Sequence, residues 1–202
     1  PWFKPSGLDR GSGLGCLAIA AYDFSSAFDT VSRMMVLAAF SKFRPDQHTT
    51  SWLSSYMLGG SQTVTWNGAT SSRRDVTYGV RQGSLLAPLI FIVVMSSFPD
   101  ALGPKSVGYA DDSNAWEDGD LASAVTAVSA KSEAFSDFSA VRKLVLNPSK
   151  TKLMLCGPAT SSPLQDLPCL IISGTQVSPS RTLEMLGLHI DNKLSTAPAL
   201  AR

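Results

Sequence analysis

Apolar runs and amphipathic stretches alternate along this chain. Cys16-Leu17-Ala18-Ile19-Ala20-Ala21-Tyr22 is a near-continuous apolar run. It suits a strand buried on both faces, although period alone does not separate it from a short buried helix. Asp23 follows, where a strand leaving the core brings a charge to solvent. Ala27, Phe28, Val31, Met34, Met35, Leu37 and Ala38 then recur at roughly helical spacing, which predicts a helix over 26–43. Pro45-Asp46 breaks it and opens another helix to about Met57, ended by Gly59-Gly60. Residues 62–66 and 75–78 read as two strands of a hairpin, with Asn67-Gly68 at or near its turn. A helix is expected over 84–98. Its apolar stretch from Leu85 to Met95 contains Pro88 and is too short to span a membrane.

The second half continues the pattern. Residues 106–110 read as a strand, 113–116 as its return, and Asp111-Asp112 as the hairpin tip. Asp120 is placed to cap a long helix to about Lys143, with Leu121, Val125, Val128, Phe135 and Phe138 on one face. A loop over 158–168 and strands near 170–172 and around Leu186-Gly187 complete the order. Helices alternate with a mostly antiparallel sheet, so the expected class is α+β.

Composition narrows the function. The chain has 202 residues, 44% of them hydrophobic, enough for a proper core. Its formal charge is only +1, and the basic residues are scattered rather than gathered in a stripe. Arg73-Arg74, Arg142-Lys143 and Lys150/Lys152 are the local clusters. A nucleic-acid binder usually carries a basic face, so parts that grip a backbone are expected elsewhere. Cys16, Cys156 and Cys169 have no metal-ligand spacing and are odd in number, which fits a reducing compartment. No zinc site and no signal peptide are seen. The expected location is intracellular, cytoplasmic or nuclear, with no membrane partner.

The candidate chemistry lies in three segments. They are Tyr22-Asp23-Phe24-Ser25-Ser26-Ala27-Phe28-Asp29, then Gly79-Val80-Arg81-Gln82-Gly83-Ser84, then Tyr109-Ala110-Asp111-Asp112. Carboxylates brought together from separate strands are the minimum protein contribution to phosphoryl transfer by two metal ions. Mg²⁺ takes hard oxygen ligands, commonly one or two carboxylates plus substrate phosphates. Alternation along a strand sends adjacent side chains to opposite faces, so Asp111 and Asp112 need not be equivalent. Asp-Asp pairs are also common in plain surface turns, and an Asp after a strand often just caps a helix. The order and spacing of the three segments argue for chemistry.

In this order the segments resemble motifs A, B and C of a reverse transcriptase palm, most closely that of non-LTR (LINE-type) retrotransposons. The resemblance covers about Cys16 to Asp191. It implies a polymerase palm and RNA-directed DNA synthesis from dNTPs on a DNA primer and an RNA template. Two Mg²⁺ ions are implied, with Mn²⁺ as a substitute. Asp23 and Asp111 are expected to bridge the metals and Asp112 to assist. Phe24, Phe28, Gln82 and Gly83 are implied to meet the nucleotide. Phe28 is either a steric gate against a 2′-hydroxyl or the first core residue of a helix. Ser84 is placed to cap the helix after it. The chain departs from the usual Pro-Gln-Gly-Ser-x-x-Gly-Pro at Arg81 and Ala87. Lys150, in a segment resembling motif D, is either the acid for the leaving pyrophosphate or a solvated turn lysine. Leu186-Gly187 resembles the hairpin that grips the primer end.

The expected division is an entry remnant of fingers over 1–15, the palm over 16–157, and a primer-grip-like region with the start of a thumb over 158–202. A portion of a retrotransposon polyprotein is expected, with fingers, thumb and endonuclease regions as its partners. Two alternatives remain: an inactive nucleic-acid-binding remnant and an RNA-directed RNA polymerase palm.

Overall fold

A computed structural model describes residues 15–195. The expected entry segment before Gly15 lies outside the described residues. The chain divides into two compact units. Among the described residues, the first holds 15–23, 99–137 and 146–195, and the second holds 24–98 and 138–145.

The first unit is built on a five-stranded sheet, and the apolar run Cys16–Tyr22 is its central strand. One side of that strand pairs antiparallel with Lys152–Cys156, the other with Asp112–Gly119. Ser106–Tyr109 lies beyond Asp112–Gly119 as an antiparallel edge, and Pro179–Ser180 joins Lys152–Cys156 in parallel at the other edge. Both faces of the central strand are covered, which is why its sequence is a run rather than an alternation. Cys16, Ala18, Ala20 and Tyr22 are buried on one face. There the Tyr22 ring packs 4.9 Å from Phe135 of the helix Leu121–Val141. The Tyr22 hydroxyl and Ser132 Oγ lie 2.8 Å apart, and burial, partly offset by that bond, pushes the phenol up to about 12. On the opposite face Leu17 joins Met154, Cys156 and Leu183 in a buried cluster flanked by Ile19, Trp116 and Met185. The long helix starts as expected. Asp120 accepts from the Ser123 amide at 3.0 Å. Glu117, 2.7 Å from Lys131, ties the Asp112–Gly119 strand to the same helix.

The second unit is mostly helical. Arg33–Ser41, Gln47–Met57 and Ala87–Met95 pack around Val36, Leu53, Met57, Ile90, Phe91 and Val94. Here the sequence reading needs correction. The helix expected over 26–43 is broken into Ala27–Thr30 and Arg33–Ser41. The cause is distant in sequence. The Phe28 and Val31 carbonyls accept from the Val80 and Gly79 amides, each at 2.8 Å, so they do not continue the helical ladder. Ser32 then restarts the helix by accepting from the Met35 amide. Gly79 has φ +76°, and a Cβ there would fall 2.7 Å from the Asp29 carbonyl oxygen. This seam therefore requires glycine.

Two further readings change. Asn67-Gly68 does form a turn, but Thr65–Trp66 pairs with Ala69–Thr70, while Ser61–Gln62 pairs with Arg74–Asp75. These residues are all exposed, so no buried face fixes a longer register. The helix expected from Ser84 begins at Ala87 and ends at Met95. Ser84 is not its cap: its Oγ accepts from the Leu86 amide at 3.1 Å and meets Tyr56 Oη at 2.6 Å. Pro88 sits in the first turn, where its missing N–H costs nothing.

Candidate active site

Strand register builds the carboxylate centre. The central strand pairs Tyr22 with Ser113 and Ala21 with Asn114. One more step in that register sets Asp23 opposite Asp112. On its other flank Ala21 pairs with Lys152, and the same continuation leads to Lys150. Directly opposed residues share a face. The Lys150 ammonium indeed lies 3.7 Å from Asp23 Oδ1. Asn147 reinforces the corner, its amide donating to the Asp23 carbonyl at 2.8 Å. The hairpin turns on Ala110-Asp111, with Tyr109 paired to Asp112 and Ala110 at φ +53°.

A cavity of about 400 Å³ opens here, lined by Asp23, Asp112, Asn114, Lys150, Glu184 and the Leu186-Gly187 turn. Asp111 is not part of that lining; it stands exposed at the turn. Its charge is still felt. Burial, then the charges of Asp111, Asp23 and Glu184, push the Asp112 carboxyl above the usual carboxylate range. Leu186-Gly187 links two antiparallel strands, Thr182–Met185 and Leu188–Asp191, and both turn residues have positive φ.

The motif B residues belong to the second unit. Gln82 is exposed, and its Nε2 donates to Asp29 Oδ1 at 2.6 Å. Gly83 has φ +78° with nothing within 4 Å of a built Cβ, so glycine is needed there for backbone conformation and not for space. The Phe28 ring stacks on Phe91 at 4.7 Å, a contact that meets the core reading and leaves Phe28 half-buried. Phe24 is 4% exposed, so its ring is part of the core.

Sequence reasoning missed Glu184 and Asn114 in the cavity, and the Gln82–Asp29 pair. Glu184 follows the buried Leu183 in a strand that alternates, so its outward side was readable. Its proximity to Asp112 depends on tertiary packing and was not.

Residues 11–190 match the reverse transcriptase (RNA-dependent DNA polymerase) family. A stretch of 90 residues is 27% identical to the retrovirus-related Pol polyprotein from type-1 retrotransposable element R2 of Popillia japonica. That stretch covers 45% of this chain and 15% of the relative. Among solved structures, telomerase from Candida tropicalis in complex with a TWJ fragment of telomeric RNA superposes with a TM-score of 0.62. It is 12% identical, over 93% of this chain and 30% of that one. Apo telomerase from the same organism, truncated from its C-terminal domain, gives 0.53 at 13% identity, over 93% and 36%. These likenesses show the polymerase fold. The chain thus spans only a small part of the R2 relative and about a third of the telomerases. With the family matched over nearly all its length, the chain belongs to the reverse transcriptase (RNA-dependent DNA polymerase) family.

Proposed function

We propose that this chain carries the nucleotide-transfer centre of an RNA-directed DNA polymerase within a retrotransposon polyprotein, extending a DNA primer with dNTPs on an RNA template. The observation that supports it most is the cavity in which Asp23 and Asp112 meet, with Lys150 beside Asp23.

The family uses divalent metal ions. The donor set suits a hard cation: carboxylate oxygens only, crowded enough to raise the Asp112 carboxyl. Among the described residues no three His, Cys, Asp or Glu side chains close around a metal by themselves. Mg²⁺ completed by substrate phosphate oxygens needs no such cage. Asp23 and the Asp111-Asp112 pair would hold two Mg²⁺ ions, or Mn²⁺ in their place. Bound there, the metal supplies charge neutralisation at the attacking and leaving oxygens.

The chain's own groups supply the rest. Asp23 and Asp112 are fixed by neighbouring strands, so their geometry is set before substrate arrives. Lys150 is the proposed proton donor, from Nζ to an oxygen of the departing pyrophosphate. Leu186-Gly187 is the proposed rest for the primer end, with Gln82 and Gly83 positioning the nucleotide. Phe28, braced by Phe91, is the proposed gate against a 2′-hydroxyl. The test is single-nucleotide extension of a DNA primer on an RNA template, with dNTP and rNTP compared. The wild type is expected to prefer dNTP strongly, and Phe28→Val to incorporate rNTP at least tenfold better. An unchanged preference would remove Phe28 from that role, and a wild-type preference for rNTP would favour an RNA polymerase.

The crowded carboxylates also predict a stability effect. Folding raises the Asp112 carboxyl, so the folded state holds that proton more tightly and stability falls as pH rises through the folded pKa. Above that pKa the penalty is fully present. Asp112→Asn is therefore expected to raise the Tm near neutral pH and to leave it unchanged at pH low enough to protonate the acid. Millimolar Mg²⁺ is expected to raise the wild-type Tm and to narrow the gap to the variant. A variant less stable at neutral pH would contradict the electrostatic account.

A further inference from the structure

The loop Arg81-Gln82-Gly83-Ser84 carries two residues proposed to position the nucleotide, and little inside the loop fixes its form. The Ser84 amide donates to the Arg81 carbonyl at 3.2 Å, which closes a turn, and Gly83 has φ +78°. Gln82 and Gly83 are exposed. A turn closed by one backbone bond and containing glycine has few restraints of its own. The usual motif B has proline where this chain has Arg81, and a proline ring would fix φ there. Here the restraint comes from another element.

Tyr56 supplies it at both ends of the turn. Its Oη lies 2.6 Å from Ser84 Oγ. The Arg81 guanidinium sits over its ring, 5.1 Å from the centroid, where the π face attracts a cation. Ser84 Oγ also accepts from the Leu86 amide at 3.1 Å, and a hydroxyl has capacity for both contacts. The line from Tyr56 through Ser84 to Leu86 thus joins the turn to the start of the helix Ala87–Met95.

Tyr56 is itself firmly placed. It stands on the helix Gln47–Met57 between Leu53 and Met57, which are 5% and 2% exposed and anchor that helix in the core of the second unit. One turn back along the helix, Trp52 stacks on it at 5.8 Å and 18°. Ring packing accounts for an aromatic residue here but not for the hydroxyl. Phenylalanine would pack equally well and leave Ser84 without that partner. Gln82 has a separate hold, through Asp29.

We propose that Tyr56 is a positioning residue, holding the Arg81–Ser84 loop through Ser84 and Arg81 in the shape that presents Gln82 and Gly83. That they are presented to an incoming dNTP rests on the proposed polymerase function. The fixing of the loop does not.

The experiment compares the wild type with Tyr56→Phe, Ser84→Ala and the double variant, each checked by circular dichroism. Tyr56→Phe removes the hydroxyl and keeps the ring under Arg81 and against Trp52. Amide hydrogen exchange is read over residues 81–87. Tyr56→Phe is expected to speed exchange there by about fivefold, the effect of losing one hydrogen bond, and to leave the other segments unchanged. Ser84→Ala removes the same contact and also frees the Leu86 amide. Adding Tyr56→Phe to it is therefore expected to change nothing further. Primer extension then gives KM and kcat for dNTP. Tyr56→Phe is expected to raise KM by about fivefold and to leave kcat within about twofold. A tyrosine that only packed would leave both unchanged on becoming phenylalanine. Unchanged exchange over 81–87 in Tyr56→Phe would overturn the proposal, as would effects of the two substitutions that add. Faster exchange with an unchanged KM in an extending enzyme would overturn it too. Should Tyr56→Phe fail to fold, Ser84→Ala is read in the same way, and an unchanged KM in it overturns the proposal. A wild type that does not extend a primer, while its loop exchange still depends on Tyr56, would overturn the polymerase reading and leave the loop contact standing.

Discussion

Asp23→Asn is expected to lower the rate of nucleotide addition by about three orders of magnitude, roughly 4 kcal/mol of transition-state stabilisation. The substitution keeps the shape of the side chain and removes its charge. Asp23 sits at the end of a strand held by neighbours on both sides, so the variant should fold. Two effects then add to the loss. One carboxylate ligand for the divalent ion is gone, and Lys150 loses the anion 3.7 Å from it. A single-turnover measurement at saturating nucleotide separates this from weakened binding, since the loss should appear in the rate of chemistry. Metal dependence should shift to higher concentration in the same variant. A rate within tenfold of wild type would remove Asp23 from the centre of the account.

Phe135→Ala is expected to give the largest loss of stability, about 3–5 kcal/mol for a fully enclosed aromatic ring. Phe135 is 0% exposed and lies against the Tyr22 ring. Tyr22 is the residue before Asp23, so this packing bears directly on where the carboxylate stands. A thermal melt should show a fall of roughly 10 °C. The neighbouring Tyr22→Phe removes only the hydroxyl facing Ser132, and should cost about 1 kcal/mol. If Phe135→Ala proved as mild as Tyr22→Phe, the long helix would not be what braces the central strand.

The parts of this structure that were legible in the sequence are those governed by local pattern. The run from Cys16 to Tyr22 needed two covered faces, and the sheet supplies them. Asp120 and Asp46 announced helix starts, and both accept from the amide three residues on. The hairpin carrying Asp111-Asp112 was legible, but its turn falls one residue earlier than expected, at Ala110-Asp111, and Asp112 opens the returning strand. The parts that were not legible depend on partners far away in the chain. The apolar spacing over 26–43 fits one helix, but Gly79 and Val80 take the carbonyls that would continue it. Ser84 has the chemistry of a cap and instead meets Tyr56. Register is a further case. The sequence shows two adjacent carboxylates, whereas only the pairing of Tyr22 with Ser113 reveals that Asp112 is the one opposite Asp23. Glu184 became a candidate for the same reason: its surroundings are assembled by tertiary contacts.

The central claim is that the Asp23–Asp112 cavity is where a nucleotide is joined to a primer. The most direct measurement is Mg²⁺-dependent extension of a DNA primer on an RNA template with dNTPs, comparing the wild type with the Asp111→Asn/Asp112→Asn double variant. The account predicts extension by the wild type that EDTA abolishes, and none by a double variant that still folds and still binds the strand. Extension by the double variant at the wild-type rate, or none by a folded wild type that binds primer and template, would contradict it.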